Sequence, residues 1–183
     1  MRQDRHMRHT LPLTVLLATG ATIVLTSCEN YDAAEVSGRT GVSHDGNGNL
    51  TLHVNTCENS TTLVEVRAGR ENLAPDEQNP IIGSYTLDEP ASGSLVVRVQ
   101  DPSPWSVEQE LALPEDRSHF FIVSAQTEDK GGPRFINPEK YFASAPVTYD
   151  RLMAAPAGAV ATGIDNGLSS VSQEEFDAAC PSS

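Results

Sequence analysis

Between Asn49 and Thr56 hydrophobic and polar positions alternate, with Leu50, Leu52 and Val54 on one side and Thr51, His53 and Asn55 on the other. A period of two marks a strand buried on one face and wet on the other, so His53 is expected among solvated side chains. Just upstream, Val42-Ser43-His44 and the turn Asp45-Gly46-Asn47-Gly48 supply the first half of a hairpin. Further extended segments are predicted at 63–67, 81–86, 94–100, 107–113, 119–126 and 140–148. Turn clusters such as Asn79-Pro80, Asp88-Glu89-Pro90, Asp101-Pro102 and Gly131-Gly132-Pro133 separate them. Short strands at this spacing predict an all-β chain, an immunoglobulin-like β-sandwich of about seven strands.

The end of the chain breaks the pattern. Ser172-Gln173-Glu174-Glu175 fits a capping box, followed by Phe176 and Ala178-Ala179, which predicts a short C-terminal helix carrying Cys180. The run of small residues at 154–163 is expected to wander along the surface.

At the other end, Arg2, Arg5 and Arg8 precede an apolar stretch at 11–26 that is interrupted by Pro12 and Gly20. It is too short and too broken for a comfortable bilayer span and has the form of a signal peptide. It closes on Leu25-Thr26-Ser27-Cys28, which resembles the lipobox of bacterial lipoproteins. That resemblance implies that the Cys28 thiol receives a diacylglycerol and that a lipoprotein signal peptidase cuts before it. Small side chains at Thr26 and Ser27 let a peptidase approach the backbone, and a thiolate is the natural acceptor in thioether formation. The alternative is a cysteine closing a membrane anchor. The expected organisation is a signal peptide at 1–27, a lipidated tether at 28–37 and a sandwich domain at 38–183, held on the outer face of the cytoplasmic membrane. Two acyl chains suffice for such an anchor whatever the charge of the domain.

Charge narrows the partners. Lys and Arg number 12 against 25 Asp and Glu, a formal charge of -13, which repels phosphate backbones and leaves no role for nucleic acid. With Cys28 spent on lipid, Cys57 and Cys180 are left, and in an oxidising compartment two cysteines permit a single disulfide. His53 is the only histidine within a few residues of either, so a metal site would lack ligands.

Candidate chemistry is sparse. Asp45, Asn47 and Asn49 have the first three spacings of a calcium loop, but Leu50 stands at the required glycine and Thr56 at the bidentate glutamate, so a glycine-rich hairpin turn is expected. No Gly-x-Ser-x-Gly elbow or His-Glu-x-x-His helix occurs, and His44, His53 and His119 are expected to be solvated. Acidic pairs such as Asp76-Glu77, Asp88-Glu89 and Glu115-Asp116 lie beside turns, where neighbouring carboxylates point into water. No catalytic residue, metal or cofactor is assigned. The one candidate contact is Trp105, in Asp101-Pro102-Ser103-Pro104-Trp105-Ser106: two prolines stiffen the loop and lower the entropic cost of presenting it. The competing expectation is that Trp105, the largest aromatic in the chain, folds back over one end of the core.

Taken together, 49–57, the stretch from Leu113-Pro114 to Ala125, Pro156-Ala157-Gly158 and the closing Glu175 to Cys180 resemble a group of uncharacterised Gram-positive lipoproteins with an immunoglobulin-like or fibronectin type III-like domain. Where fibronectin type III domains place a corner tyrosine, this chain has Phe120 and Phe121 and so lacks the corner hydroxyl. The resemblance implies a β-sandwich and brings no activity with it. The expected function is therefore a non-catalytic, lipid-anchored module outside the membrane that contacts an envelope protein or a wall polymer through loops or an edge strand. The alternatives are a small envelope hydrolase, recognisable by a serine within hydrogen-bond reach of His44, His53 or His119 in an apolar cleft, and a spacer without a specific ligand.

Overall fold

Residues 35–71, 73–127, 140–164 and 167–180 are described by a computed structural model. Cys28, the expected signal peptide and most of the expected tether lie outside them. Strands β1 (Glu35–His44) and β2 (Leu50–Asn55) form the expected hairpin, with Val42 opposite Leu52. The Asp45 carboxylate closes its turn by accepting the Asn47 N–H at 2.7 Å, the Asn49 N–H at 3.1 Å and Asn49 Nδ2 at 2.6 Å. Those oxygens are committed to amide donors, and Gly46 and Gly48 take φ of 86° and 94°, a region that favours glycine. The loop is a turn and not a converging set of cation ligands.

The chain then builds two sheets. β3 (Thr61–Ala68), β4 (Ile81–Ala91), β6 (Ser106–Gln109), β7 (Phe120–Gln126) and β9 (Ala145–Thr148) order as β6-β4-β3-β7-β9. The opposite sheet orders as β11-β10-β1-β2-β5, from β5 (Ser94–Arg98), β10 (Val160–Ile164) and β11 (Gly167–Val171), with β8 (Lys140–Ala143) also joined to β1. Every pairing is antiparallel except β1 with β8. The core between the sheets holds Val42, Leu52, Val54 and Val97 from one and Val64, Val66, Tyr85, Phe121, Val123 and Val147 from the other. This is an all-β sandwich with a short C-terminal helix, α2 (Gln173–Ala178), as expected. Among the described residues no helix is long and apolar enough to cross a membrane.

Several expectations need correction. The described residues contain eleven strands, not about seven. The extended segment at 140–148 is two strands in two different sheets, because buried Phe142, Ala145 and Val147 are spaced three and then two apart and no continuous pleat can bury all three. The run at 154–163 lies on the surface only in its first part, where Ala154, Pro156, Ala157 and Gly158 are exposed. It follows α1 (Tyr149–Ala154), capped by Thr148, and enters β10, where Val160 and Ala161 are buried. Small residues are needed there: a Cβ on Gly163 would collide with the Pro146 ring of β9. Glu35, Val36 and Ser37, inside the expected tether, belong to β1, and the parallel strand β8 pairs with Glu35 and Val36 from a hundred positions away. The compact unit that contains the sandwich spans Asp32–Ser183.

Candidate functional site

Alternation along β1 and β2 sends Thr40, Val42, Leu52 and Val54 inward, and Arg39, Gly41, Ser43, His53 and Asn55 to the outer face of their sheet. This outer strip is polar, and α2 lies on it. The helix starts with a complete capping box: Ser172 Oγ accepts the Glu175 N–H at 3.1 Å, and Glu175 Oε2 accepts the Ser172 N–H at 2.8 Å. One apolar side chain of α2 faces the sheet. Phe176 is 0 % exposed and sits over Gly41, where an added Cβ would stand 3.0 Å from the ring and 2.5 Å from Val160 Cγ1.

The rest of the strip grips the helix backbone. Carbonyls of the last helical turn have no partners within the helix. Arg39 Nη2 donates to the carbonyls of Glu175, at 2.8 Å, and Phe176, while its guanidinium lies 4.6 Å from the Phe176 ring centroid. Asn55 Nδ2 donates to the carbonyls of Phe176 and Asp177 at 3.2 and 2.8 Å, and Asn55 Oδ1 accepts the Cys57 N–H at 3.0 Å. Ser94 of β5 donates to the Asp177 carboxylate. Just beyond, Cys57 and Cys180 are joined by the expected disulfide, their Cα atoms 5.7 Å apart.

Beneath α2, Ser43 Oγ and His53 Nε2 are 2.8 Å apart, the spacing of a nucleophile and its base. Both residues are buried, 6 % and 5 % exposed, so His53 is not the solvated side chain that the alternation predicts. Burial pushes the His53 pKa down to about 4, against a smaller upward pull from the Asp177 charge, and the imidazole is neutral at neutral pH. Its Nδ1 has no hydrogen-bond partner among the described residues, and the Phe176 ring stands edge-on at 5.8 Å. A serine–histidine pair becomes a charge-handling triad only when a third group orients the base. The pair is closed off from solvent and lacks that group among the described residues.

Two buried polar atoms under α2, Arg39 Nε and His53 Nδ1, have no partner among the described residues. Each costs about 1–3 kcal/mol relative to a hydrated state. Burying the Phe176 side chain contributes about 1.5–3 kcal/mol in the other direction. The bonds from Arg39, Asn55 and Ser94 add to that side, so the two unpaired atoms weaken the non-covalent hold on α2 without cancelling it.

The other candidates fall elsewhere. His44 is also buried: its Nε2 bonds the Ala155 carbonyl at 3.0 Å and its Nδ1 accepts the Gly46 N–H at 3.0 Å, so it ties the first turn to the segment after α1. His119 is partly exposed and 3.4 Å from Asp116. Asp76, Glu77, Asp88, Glu89, Glu115 and Asp116 are exposed. Trp105 is not presented as a contact. It is 6 % exposed, belongs to the core and donates from Nε1 to the Val96 carbonyl of β5 at 2.9 Å. In a chain with 5 % aromatic residues, the loop folds back to bury its largest ring. Cys28 lies outside the described residues. No group of three or more His, Cys, Asp or Glu side chains among the described residues is placed to hold a metal ion.

Arg39, Gly41, Ser43, Asn55 and Asp177 were not singled out by the sequence. The signal that points to them is small: a single large apolar residue, Phe176, in an otherwise polar helix needs something to lie against. A scan of protein-family models and searches of curated proteins and of solved structures return no match to the chain.

Proposed function

We propose that the protein is an exported, lipid-anchored β-sandwich that binds an envelope protein or a wall polymer outside the cytoplasmic membrane, without catalysis of its own. The observation that carries this is the Cys57–Cys180 bond, which fits an oxidising compartment and agrees with the lipoprotein-like box ending at Cys28. Only 29–34 lie between Cys28 and the start of β1, a span of at most about 25 Å when fully extended. We take the end of the sandwich where β1 finishes, distal to the entry of the chain from Cys28, as the contact surface.

The loops at that distal end are already ordered. The Gly158 N–H donates to the His44 carbonyl at 2.8 Å, the Gly69 N–H to the Phe120 carbonyl at 2.7 Å, and the Arg117 guanidinium lies 4.5 Å from the Tyr149 ring centroid. Within the β3–β4 loop, Arg70 donates to the carbonyls of Ala74, Pro75 and Glu77 and to Asn79 Oδ1. Loops held in this way lose little entropy on binding, which supports a recognition surface over a passive spacer.

Anchoring is tested by fractionating cells. The native chain should enter the detergent phase as a processed form, and Cys28→Ala should accumulate uncut; normal processing of the variant overturns the anchor. Recognition is tested by co-sedimenting the purified protein with isolated wall material and by photo-crosslinking from the β3–β4 loop on intact cells. Failure of both leaves the spacer. The hydrolase alternative has one observation in its favour, the Ser43–His53 distance. A fluorophosphonate probe that leaves Ser43 unlabelled, in oxidised and reduced protein alike, removes it.

A further inference from the structure

Phe176 is fully buried, yet the contiguous core between the two sheets does not include it. Its cover comes from the outer face of one sheet: Gly41, Val160, the His53 ring and the Arg39 guanidinium. The strip it covers alternates in sequence like a solvated strand face. Of three buried polar side-chain atoms without a partner among the described residues, two, Arg39 Nε and His53 Nδ1, belong to this strip. Water entering under the helix would satisfy both, so hydration competes with closure. The helix itself has six residues, below the length at which an isolated helix persists in water. Its far end is held by the bonds from Arg39, Asn55 and Ser94 and, just beyond, by a covalent bond at the margin of the fold, where Cys180 is exposed.

We propose that the Cys57–Cys180 disulfide is a redox latch on α2: a dithiol oxidoreductase of the cell envelope opens it, α2 leaves the sheet, and Arg39, Ser43, His53 and Asn55 become accessible while the sandwich stays folded. In the opening step a thiolate of the reductant attacks Cys180 Sγ and expels Cys57 as the leaving thiolate. The second thiol of the reductant then resolves the mixed disulfide. Two electrons pass to the protein, a proton ends on each cysteine thiol, and the reductant departs as its own disulfide. The latch does not depend on what the distal loops bind.

The test uses the full-length protein in detergent, with dithiothreitol as the dithiol. Amide hydrogen exchange, modification of histidine by diethyl pyrocarbonate and Trp105 emission are followed with and without reduction at pH 7. On reduction, 172–180 should exchange at least tenfold faster and His53 should become modified. His44 should stay unmodified, β3, β4 and β7 should stay protected, and Trp105 should keep its buried emission. Unchanged protection of 172–180 after confirmed reduction overturns the latch, since the non-covalent contacts then suffice. Loss of protection across both sheets with a red-shifted Trp105 overturns it too, because the bond is then a staple for the whole fold. A Cys57→Ser, Cys180→Ser double variant should reproduce the reduced pattern without reductant. If that variant does not accumulate, the dithiol measurement on the native chain decides alone.

Discussion

The Arg39 guanidinium lies against the Phe176 ring at 4.6 Å from its centroid, while Nη2 of the same side chain donates to the Phe176 carbonyl. One residue of the first strand thus holds both the side chain and the backbone of a residue 137 positions later. The planar fork of arginine permits both at once, which a lysine ammonium does not. Arg39→Lys should therefore weaken the hold of α2 nearly as much as Arg39→Ala, by about 1–3 kcal/mol in local opening. Hydrogen exchange of 172–180 measures this, and a lysine variant with native protection would show that charge alone suffices.

Gly41 is required by proximity and not by backbone angle. Gly41→Ala drives a methyl into Val160 and the Phe176 ring, and overpacking of this kind costs about 1–3 kcal/mol. The urea midpoint should fall. Gly158→Ala, at a site with open space but a φ of 80°, should also cost stability, and its protection of 172–180 should be native while that of Gly41→Ala should not.

His53 makes stability depend on pH in a defined window. Its folded pKa is about 4 and its ordinary value is 6.5. As pH falls through 6.5 the unfolded chain takes a proton that the folded chain refuses until about 4, so stability declines across that interval and is flat above it. The full effect is about 3 kcal/mol at most. Asp45, Asp116 and Glu175, each held below the ordinary carboxylate range by hydrogen bonds, act at lower pH. Urea unfolding of the native chain and of His53→Gln between pH 4 and 7 isolates the histidine contribution. Parallel curves for the two proteins would show that His53 does not titrate under α2.

Trp105 should emit as a buried indole, blue-shifted and resistant to acrylamide. Trp105→Phe keeps most of the packing but removes the bond to the Val96 carbonyl, at a cost of about 1 kcal/mol, whereas Trp105→Ala should cost about 3–5 kcal/mol. A truncation without effect on the unfolding midpoint would return the residue to the list of surface contacts.

Local pattern by itself determined a good deal of this protein. Leu50, Leu52 and Val54 announce a strand through their period, Asp45-Gly46-Asn47-Gly48 announces its turn, and Ser172 with Glu175 announces the start of the last helix, because each rests on interactions between residues a few positions apart. The disulfide was legible once Cys28 was set aside for lipid, by elimination and not by geometry. Only the tertiary structure decided the rest. His53 and Asn55 occupy the wet phase of their strand and are nonetheless buried, because a helix from the far end of the chain lies on them. The residues at 140–148 divide between two sheets and those at 160–163 pair in β10, both for partners remote in sequence, and Trp105 turns inward onto the core. Periodicity reports which faces of an element differ in polarity. Which of those faces meets water is set by what packs against it, and in this chain the covering piece is a six-residue helix, too short to announce its docking surface by periodicity and fixed there by contacts with residues more than a hundred positions away.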